Sequence, residues 1–343
     1  MSVVFINPGK SDELYWLSAG KAMQAAADDL GVTLEVRYAE RNHAQALAQV
    51  REIIARPLSN RPEYVIFSNE KGTGPELLKL LDGAGIKTFM AFNGRLPGVG
   101  DIGQPRQQYK GWLGSLEPDA EQAGYLTARS LINKARHAGV PRVHGKLQMV
   151  AISGDPATPS SLRRSDGMRR AIKEAGDVRL VDEVYASWSQ EHALAQGGWL
   201  YVRYPQARMV WAGNDLMAMG AMQVWGHRGK QAGKDVFFSA VNTSDEALQA
   251  VRDGRLSALA GGHFIAGAMS LVLLYDYDKG RDFASEGLEQ RWPLFMLFDA
   301  NSAQQFMRLY GKQDFSRIDF RRYSKVLNPA LKRYSFSFKP LLK

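Results

Sequence analysis

The stretch RMVWAGNDLMAMG, residues 208–220, predicts a short buried strand, a tight turn and a helix in immediate succession. An apolar run at 209–211 breaks at Ala212 and Gly213, and a helical pattern follows. The helix places three apolar residues on one face, Leu216, Met219 and Met222. Asn214 and Asp215 therefore stand at the carboxyl end of the strand, where open α/β sheets bind their ligands.

Outward from this stretch, short strands alternate with longer helices in both directions. The other predicted strands cover residues 3–7, 32–37, 64–68, 88–92, 147–152, 178–185, 236–241 and 256–260. The other predicted helices cover residues 14–30, 43–55, 75–84, 118–138, 160–175, 190–203, 244–252 and 266–277. This alternation indicates βαβ units and parallel sheets. We predict an α/β fold of two similar halves, joined near Gly114 and Ser115 after a polar loop at 93–107 and a short apolar piece around Trp112.

Composition limits the class of protein. The chain has 343 residues, 45% of them hydrophobic, which suggests a soluble protein of two domains. No apolar run approaches the ~20 residues that a membrane-spanning helix needs. The absence of cysteine excludes disulfides and thiolate metal sites and fits an oxidising compartment.

The positive charge is concentrated at the C-terminal end. Residues 308–343 hold ten Lys or Arg against two Asp, which is +8 of the chain's net +9. The body is thus nearly neutral, so no nucleic-acid partner is expected. The same segment is rich in aromatic residues, and its alternating Tyr334, Phe336 and Phe338 predict an edge strand with one face covered.

Two kinds of side chain gather after the predicted strands. The candidate ligand-binding residues are Glu13, Tyr15, Trp16, Asn93, Arg164, Trp188, Asn214, Asp215, Asn242 and His263. Aromatic faces can stack on C–H groups, while amides and charges can bind hydroxyls, so the set suits a small polyhydroxylated ligand.

Structural alternatives stay open for several of these residues. Tyr15 and Trp16 could be core residues, and Trp188 could pack at the edge of a domain. Asn214 could serve only as a helix N-cap, and Arg164 could lie on the surface. No motif predicts an enzyme, a metal site or a cofactor, since HExxH, GxSxG, GxxxxGK[ST] and GxGxxG are all missing.

The chain resembles the type I periplasmic binding proteins of the ribose, galactose and autoinducer-2 group. The resemblance rests on ELYW at 13–16, LRRSDGM at 162–168, Trp188, AGNDLMAMGA at 212–221 and AVRDGRL at 250–256. It covers residues 3–280. LacI-type repressors share this core, but no helix-turn-helix precedes it here, so we do not expect a repressor.

The resemblance implies two Rossmann-like lobes, crossed three times by the chain at a hinge, that close on the ligand. The implied N-terminal lobe is 1–115 with 263–291, the C-terminal lobe is 116–262 with 292–300, and a basic extension at 301–343 packs on the core. The resemblance carries family ligand positions over onto Tyr15, Trp16, Asn93, Arg164, Trp188, Asn214, Asn242 and, approximately, His263, and Glu13 replaces a family Asn. Asn93 and Asn242 stand where sugar-binding members often carry Asp, and Asn93 with Arg164 is closer to the autoinducer-2 receptor type.

Function follows from the same resemblance. We expect a periplasmic, monomeric solute-binding protein, its signal peptide removed, that delivers a sugar-like ligand to an ABC permease. The alternative is a periplasmic receptor that signals to a membrane sensor protein such as a histidine kinase or cyclase. On either alternative, we expect the exposed basic residues Arg321, Arg322, Lys332 and Arg333 to contact an acidic partner surface.

Overall fold

The computed structural model describes residues 1–95 and 102–343. The strands are β1 Ser2–Asn7, β2 Thr33–Tyr38, β3 Tyr64–Phe67, β4 Lys87–Ala91, β5 Trp112–Pro118, β6 Leu147–Ser153, β7 Val178–Tyr185, β8 Met209–Ala212, β9 Phe237–Val241, β10 Ala258–Gly261, β11 Glu289–Trp292 and β12 Met296–Phe298. The helices are α1 Leu14–Leu30, α2 His43–Ala55, α3 Gly74–Gly83, α4 Ala120–His137, α5 Pro159–Ala175, α6 Gln190–Arg203, α7 Asp215–His227, α8 Asp245–Arg252, α9 Ala266–Asp278 and α10 Ala300–Tyr310. Part of the loop predicted at 93–107 lies outside the described residues.

The described chain divides into two compact units. Unit 1 comprises residues 1–118, 263–294 and 313–337, and unit 2 comprises 119–262, 295–312 and 338–343. The chain changes unit after Pro118, Gly262 and Leu294. It changes twice more within the C-terminal segment, at 312 and at 337. The lobe boundaries that the resemblance implied stay a prediction.

Each unit contains one six-stranded sheet. The order is β11-β5-β4-β3-β1-β2 in unit 1 and β12-β10-β9-β8-β6-β7 in unit 2. The pairs are parallel except for β12, which runs antiparallel to β10. The predicted α/β class with mainly parallel sheets is confirmed, and helices cover the sheets as βαβ connections require.

The apolar runs of the sequence supply the cores. In unit 1, Phe67, Leu78 and Trp112 are buried in a cluster with β1, β3 and β4. In unit 2, Leu131, Met168 and Trp211 are buried among α4, α5 and the central strands. Tight packing of these faces fixes where each strand ends, and thus where the polar residues after it stand.

The structure adds detail to two predictions made for the apolar runs of the sequence. The apolar piece around Trp112 is a full strand, and Gly114 and Ser115 lie inside it because β5 pairs with β11 as far as Pro118. On α7 the residues without exposure are Met217, Ala218 and Ala221, whereas Leu216 and Met222 are only partly buried. The reason is that α7 packs both on its own sheet and closely on α6, where the missing side chain of Gly220 leaves room for the carbonyl of Gln190.

The C-terminal segment is ordered by side-chain bonds rather than by a strand. Tyr334, Phe336 and Phe338 are buried and Ser335 and Ser337 exposed, but none of the five lies in a strand. The edge-strand prediction was therefore wrong. The rings dock separately: Tyr334 stacks on Trp292 in unit 1, while Phe338 packs on Phe306 and Tyr310 in unit 2. The four basic residues singled out above are exposed.

Candidate functional site

An aromatic cluster stands at the carboxyl edge of the unit 1 sheet. Trp16 is almost fully buried and packs edge-on against Phe92, with ring centroids 5.1 Å apart. Tyr15 contacts Trp16 edge-on at 4.9 Å and stacks on the ring of His263 at 4.7 Å. Gly9 lies under the indole of Trp16, where any side chain would overlap the ring. Tyr15, Trp16, Phe92 and His263 thus form one packed aromatic cluster at the end of this sheet.

Polar groups next to this cluster are held by the strand ends. The Asn93 amide donates to the Ser68 hydroxyl at 3.1 Å, and both residues are buried. The Asn69 amide donates to the carbonyl of Gly94 and accepts from the backbone N–H of Gly74. Asn93 is therefore fixed in orientation beside the aromatic rings rather than free to rotate.

Glu13 belongs to a three-residue ion-pair network. The Arg41 guanidinium donates to Glu13 through Nε at 2.9 Å and Nη2, and to Glu70 through Nη1 at 3.0 Å. All three side chains are mostly buried. The carboxylate oxygens of this network can accept hydrogen bonds from hydroxyls as well as from the guanidinium.

In unit 2, backbone contact between two helices positions Arg164. Side chains at Gly124 on α4 or Gly167 on α5 would overlap the backbone of the opposing helix, so only glycine permits this approach. Arg164 is 5% exposed, and its Nη1 donates to the carbonyl of Gly213 at 2.7 Å. Its guanidinium lies over the rings of Trp188 and Phe295. The alternative that Arg164 is a surface residue is therefore wrong.

Trp188 is fixed from two sides. Its indole N–H donates to the Asp155 carboxylate at 2.7 Å. Its ring covers Gly154, where a side chain would overlap it. Trp188 also has a left-handed backbone, with φ of 64°. A bulky residue rarely adopts this conformation, and such strain tends to gather at functional sites.

The stretch at 208–220 supplies a second set of polar side chains in unit 2. Asn214 caps α7 by accepting from the N–H of Met217 at 2.8 Å, and its amide donates to the carbonyl of Trp188. Asp215 is buried and accepts from the Asn242 amide at 2.9 Å and the Ser244 N–H at 3.1 Å. Burial raises the pKa of Asp215, and those two hydrogen bonds oppose the rise. Asp215 thus holds Asn242, whose φ is 102°, in a strained left-handed conformation.

The structure brings the predicted residues together in two groups. Within unit 1, Tyr15 contacts Trp16 and His263, with Glu13 at the start of the same helix and Asn93 beside Phe92. Within unit 2, Trp188 links Arg164 to Asn214, and Asp215 holds Asn242. Ligand contact by each of them stays a prediction.

Sequence reasoning missed four partners of this site: Arg41, Glu70, Phe92 and Asp155. Arg41 lies 28 positions from Glu13 and 29 from Glu70, so no local motif could reveal the network. Asp155 was visible, since it follows β6 as Asn214 follows β8, but nothing in the sequence joins it to Trp188, 33 positions away.

The described residues contain no cluster of three or more His, Asp or Glu side chains that could hold a metal ion. Nor does that part of the chain include a helix both long and apolar enough to cross a membrane.

Comparison with known proteins identifies relatives along most of the chain. Residues 3–281 match the model of the periplasmic binding protein domain. A crystal structure of a periplasmic sugar-binding protein from Pseudomonas fluorescens is 39% identical and superposes with a TM-score of 0.89, covering 100% of this chain and 99% of that one.

Two curated relatives are more distant. The ribose import binding protein RbsB of Salmonella typhimurium is 24% identical over 244 residues, 71% of this chain and 73% of that protein. The D-allose-binding periplasmic protein of Escherichia coli is 30% identical over 133 residues, which are 38% of this chain and 42% of that protein. These relatives are binding proteins rather than enzymes.

Proposed function

This chain belongs to the periplasmic binding protein family, and from that premise we propose that it captures a small neutral sugar and delivers it to an ABC importer in the periplasm. The observation that carries the proposal is the pair of fixed indoles, Trp16 and Trp188, each packed over the glycine that follows a strand. Each indole has hydrogen-bonding residues beside it. Flat apolar faces next to oriented donors and acceptors fit a sugar, which has C–H faces and a rim of hydroxyls.

The charges of the site favour a neutral ligand over an anionic one. Arg41 is engaged by the carboxylates of Glu13 and Glu70, so unit 1 offers no surplus positive charge there. In unit 2 the Asp155 carboxylate accepts from the indole N–H of Trp188, and the Arg164 guanidinium lies over the same indole, so a negative and a positive group both contact Trp188. An acidic sugar bound close to Glu13 and Glu70 would bring like charges together, which repel.

The importer role is preferred to signalling because RbsB, which matches 71% of this chain, is named an import binding protein. Uptake of the bound sugar by cells lacking the gene, with and without restored wild-type protein, tests the role. Uptake that does not depend on the protein would contradict it.

A thermal-shift screen tests the binding itself. The purified protein is melted with D-ribose, D-allose, L-arabinose, D-galactose, myo-inositol and D-galacturonate, each in large excess. A ligand that binds only the folded state raises stability by RT ln(1 + [L]/Kd). We expect at least one neutral sugar to raise the melting temperature and the acidic sugar to leave it unchanged.

A further inference from the structure

Two polar side chains at the carboxyl end of β5 have no place in the site described so far. Ser115 and Glu117 are two positions apart, so both point to the same face of the strand. Ser115 is fully buried and Glu117 is 7% exposed. The strand pairs with β4 through Met90 and Ser115, which places both side chains next to the chain that leaves β4 at Asn93.

Gly94 explains why these two side chains can lie there. A Cβ atom at Gly94 would stand 2.7 Å from Oε1 of Glu117 and 3.3 Å from the Ser115 hydroxyl. The backbone of Gly94 is not in the left-handed region, so its conformation does not require glycine. Glycine is required because the Glu117 carboxylate occupies the space that a side chain at position 94 would need.

The Ser115 hydroxyl also points to a ligand. Among the residues that the structure describes, its oxygen is buried and has no hydrogen-bond partner. A buried hydroxyl without a partner costs free energy, and each such group in a native protein needs a reason. A ligand hydroxyl that donates to Glu117 and accepts from Ser115 would satisfy it.

We propose that Ser115 and Glu117 form a hydroxyl-binding subsite at Gly94, which rests on the sugar-binding function proposed above. Asn93, on the adjoining strand end, cannot supply a carboxylate, and Glu117 supplies one from the neighbouring strand. A carboxylate accepts a shorter and stronger hydrogen bond from a hydroxyl than an amide does. The subsite therefore selects sugars with a hydroxyl at one defined ring position.

Two variants remove the carboxylate from this place by different routes. Glu117→Gln abolishes the charge, and Gly94→Ala displaces the flexible end of Glu117 while keeping its charge. The matched controls are Glu63→Gln, which removes an exposed carboxylate just before β3 at the opposite edge of the same sheet, and Gly83→Ala, where the added Cβ meets open space. Melting curves establish that each variant is folded.

Calorimetry then measures the affinity for the tightest-binding sugar of the screen and for its monodeoxy analogues. We expect both test variants to weaken binding of the parent sugar by about tenfold or more, since hydrogen bonds to a charged group are the strong ones, and both controls to bind as wild type does. For one monodeoxy analogue, Glu117→Gln should cause no further loss, because the lost hydroxyl and the lost carboxylate are partners.

The outcomes separate this proposal from the proposed function. Wild-type protein that binds a sugar, with both test variants binding it equally well, overturns the subsite alone. Equal losses across every deoxy analogue also overturn it, because no single hydroxyl would then be recognised. Wild-type protein that binds no sugar overturns the proposed function, and the subsite with it.

Discussion

At the scale of single residues, the indoles of Trp16 and Trp188 are placed in the same way. Trp16 covers Gly9 after β1, and Trp188 covers Gly154 after β6, so each ring lies on bare backbone at the end of the first strand of its sheet. Strained left-handed backbones occur nearby at Arg41, Phe92 and Asn242. Since such conformations persist only where surrounding contacts enforce them, their gathering here supports a pre-organised binding face.

Trp188→Ala should weaken sugar binding by about 1–3 kcal/mol, since the variant removes the apolar face on which the ligand stacks. Trp188→Phe keeps an aromatic face but loses the hydrogen bond to Asp155 and part of the indole that covers Gly154, so its loss should be smaller than that of Trp188→Ala. Calorimetry measures the sugar affinity of both variants. It is carried out well below the melting temperature, because Trp188 is 8% exposed and its removal also lowers the stability of the fold.

The control for this series is Trp199→Ala, which removes a half-exposed indole of the same unit, on α6. It should bind sugar as the wild type does. If Trp188→Ala lowers only the melting temperature and keeps full affinity, Trp188 is a packing residue and not part of the site.

The sequence predicted which residues stand at the strand ends, but not which residues they contact. Asn214 and Asp215 follow a clear strand and precede a clear helix, so their place was readable. Arg41 was missed because its contacts join three separate loops. Glu117 was missed because β5 looked like an apolar fragment near Trp112, and only its pairing with β4 shows which edge it reaches.

At the scale of elements, the turn between α5 and β7 is held to α4 by charge. The Asp177 carboxylate accepts from the guanidinium groups of Arg136, near the end of α4, and Arg142, the latter at 2.7 Å. The Arg136 hydrogen bond, together with that of Arg142, lowers the pKa of Asp177 to about 2.

Asp177→Asn should therefore lower the melting temperature at neutral pH. Because the folded-state pKa lies below the unfolded value, the stabilisation is fully present above about pH 4 and is lost as pH falls towards 2. The difference between the wild-type and Asp177→Asn melting temperatures should therefore decrease as the pH falls from about 4 towards 2. Asp166→Asn, which breaks an exposed pair with Arg169, is the control and should change little. A gap that stays constant with pH would contradict the assignment.

The C-terminal segment depends on one buried carboxylate of α9. Asp276 has no exposure and accepts from the Ser324 hydroxyl, the Lys325 N–H at 2.6 Å and the Tyr334 hydroxyl at 2.8 Å. Burial, followed by the hydrogen bond to Asp276, raises the pKa of the Tyr334 hydroxyl, which thus stays a donor at neutral pH. These bonds fasten residues 313–337 to unit 1.

Asp276→Ala should lower the free energy of unfolding by about 2–3 kcal/mol, because it leaves several buried donors without an acceptor. Limited proteolysis should then cut the chain within 313–337. Tyr334→Phe removes a single bond and should cost about 1 kcal/mol. Wild-type melting and protease resistance in Asp276→Ala would show that other contacts hold the segment.

The wrong edge-strand prediction shows what an alternating pattern of aromatic residues can and cannot predict. Alternation of Tyr334, Phe336 and Phe338 correctly indicated alternate burial, since every second residue of an extended chain points the same way. The alternation could not show whether a neighbouring strand pairs with this segment by backbone hydrogen bonds. The first two rings find partners in unit 1 and the third in unit 2, so the backbone follows the rings rather than a sheet.

At the scale of the whole molecule, the two units repeat one architecture without a readable sequence repeat. The fold was predictable because strand and helix periodicity and strand-end chemistry are local properties. The last two of the five changes of the chain between units were not predictable, since they depend on which unit the C-terminal rings contact. Ligand contact by the candidate residues stays a prediction.

Calorimetric titration of the purified wild-type protein with the best sugar of the screen tests the central claim most directly. We predict saturable binding of one sugar per chain with a negative heat-capacity change, because contact with the aromatic side chains of the site buries apolar surface. Trp188→Ala titrated alongside should bind the same sugar more weakly. A flat titration with every neutral sugar, or tighter binding of the acidic sugar than of any neutral one, would contradict the claim.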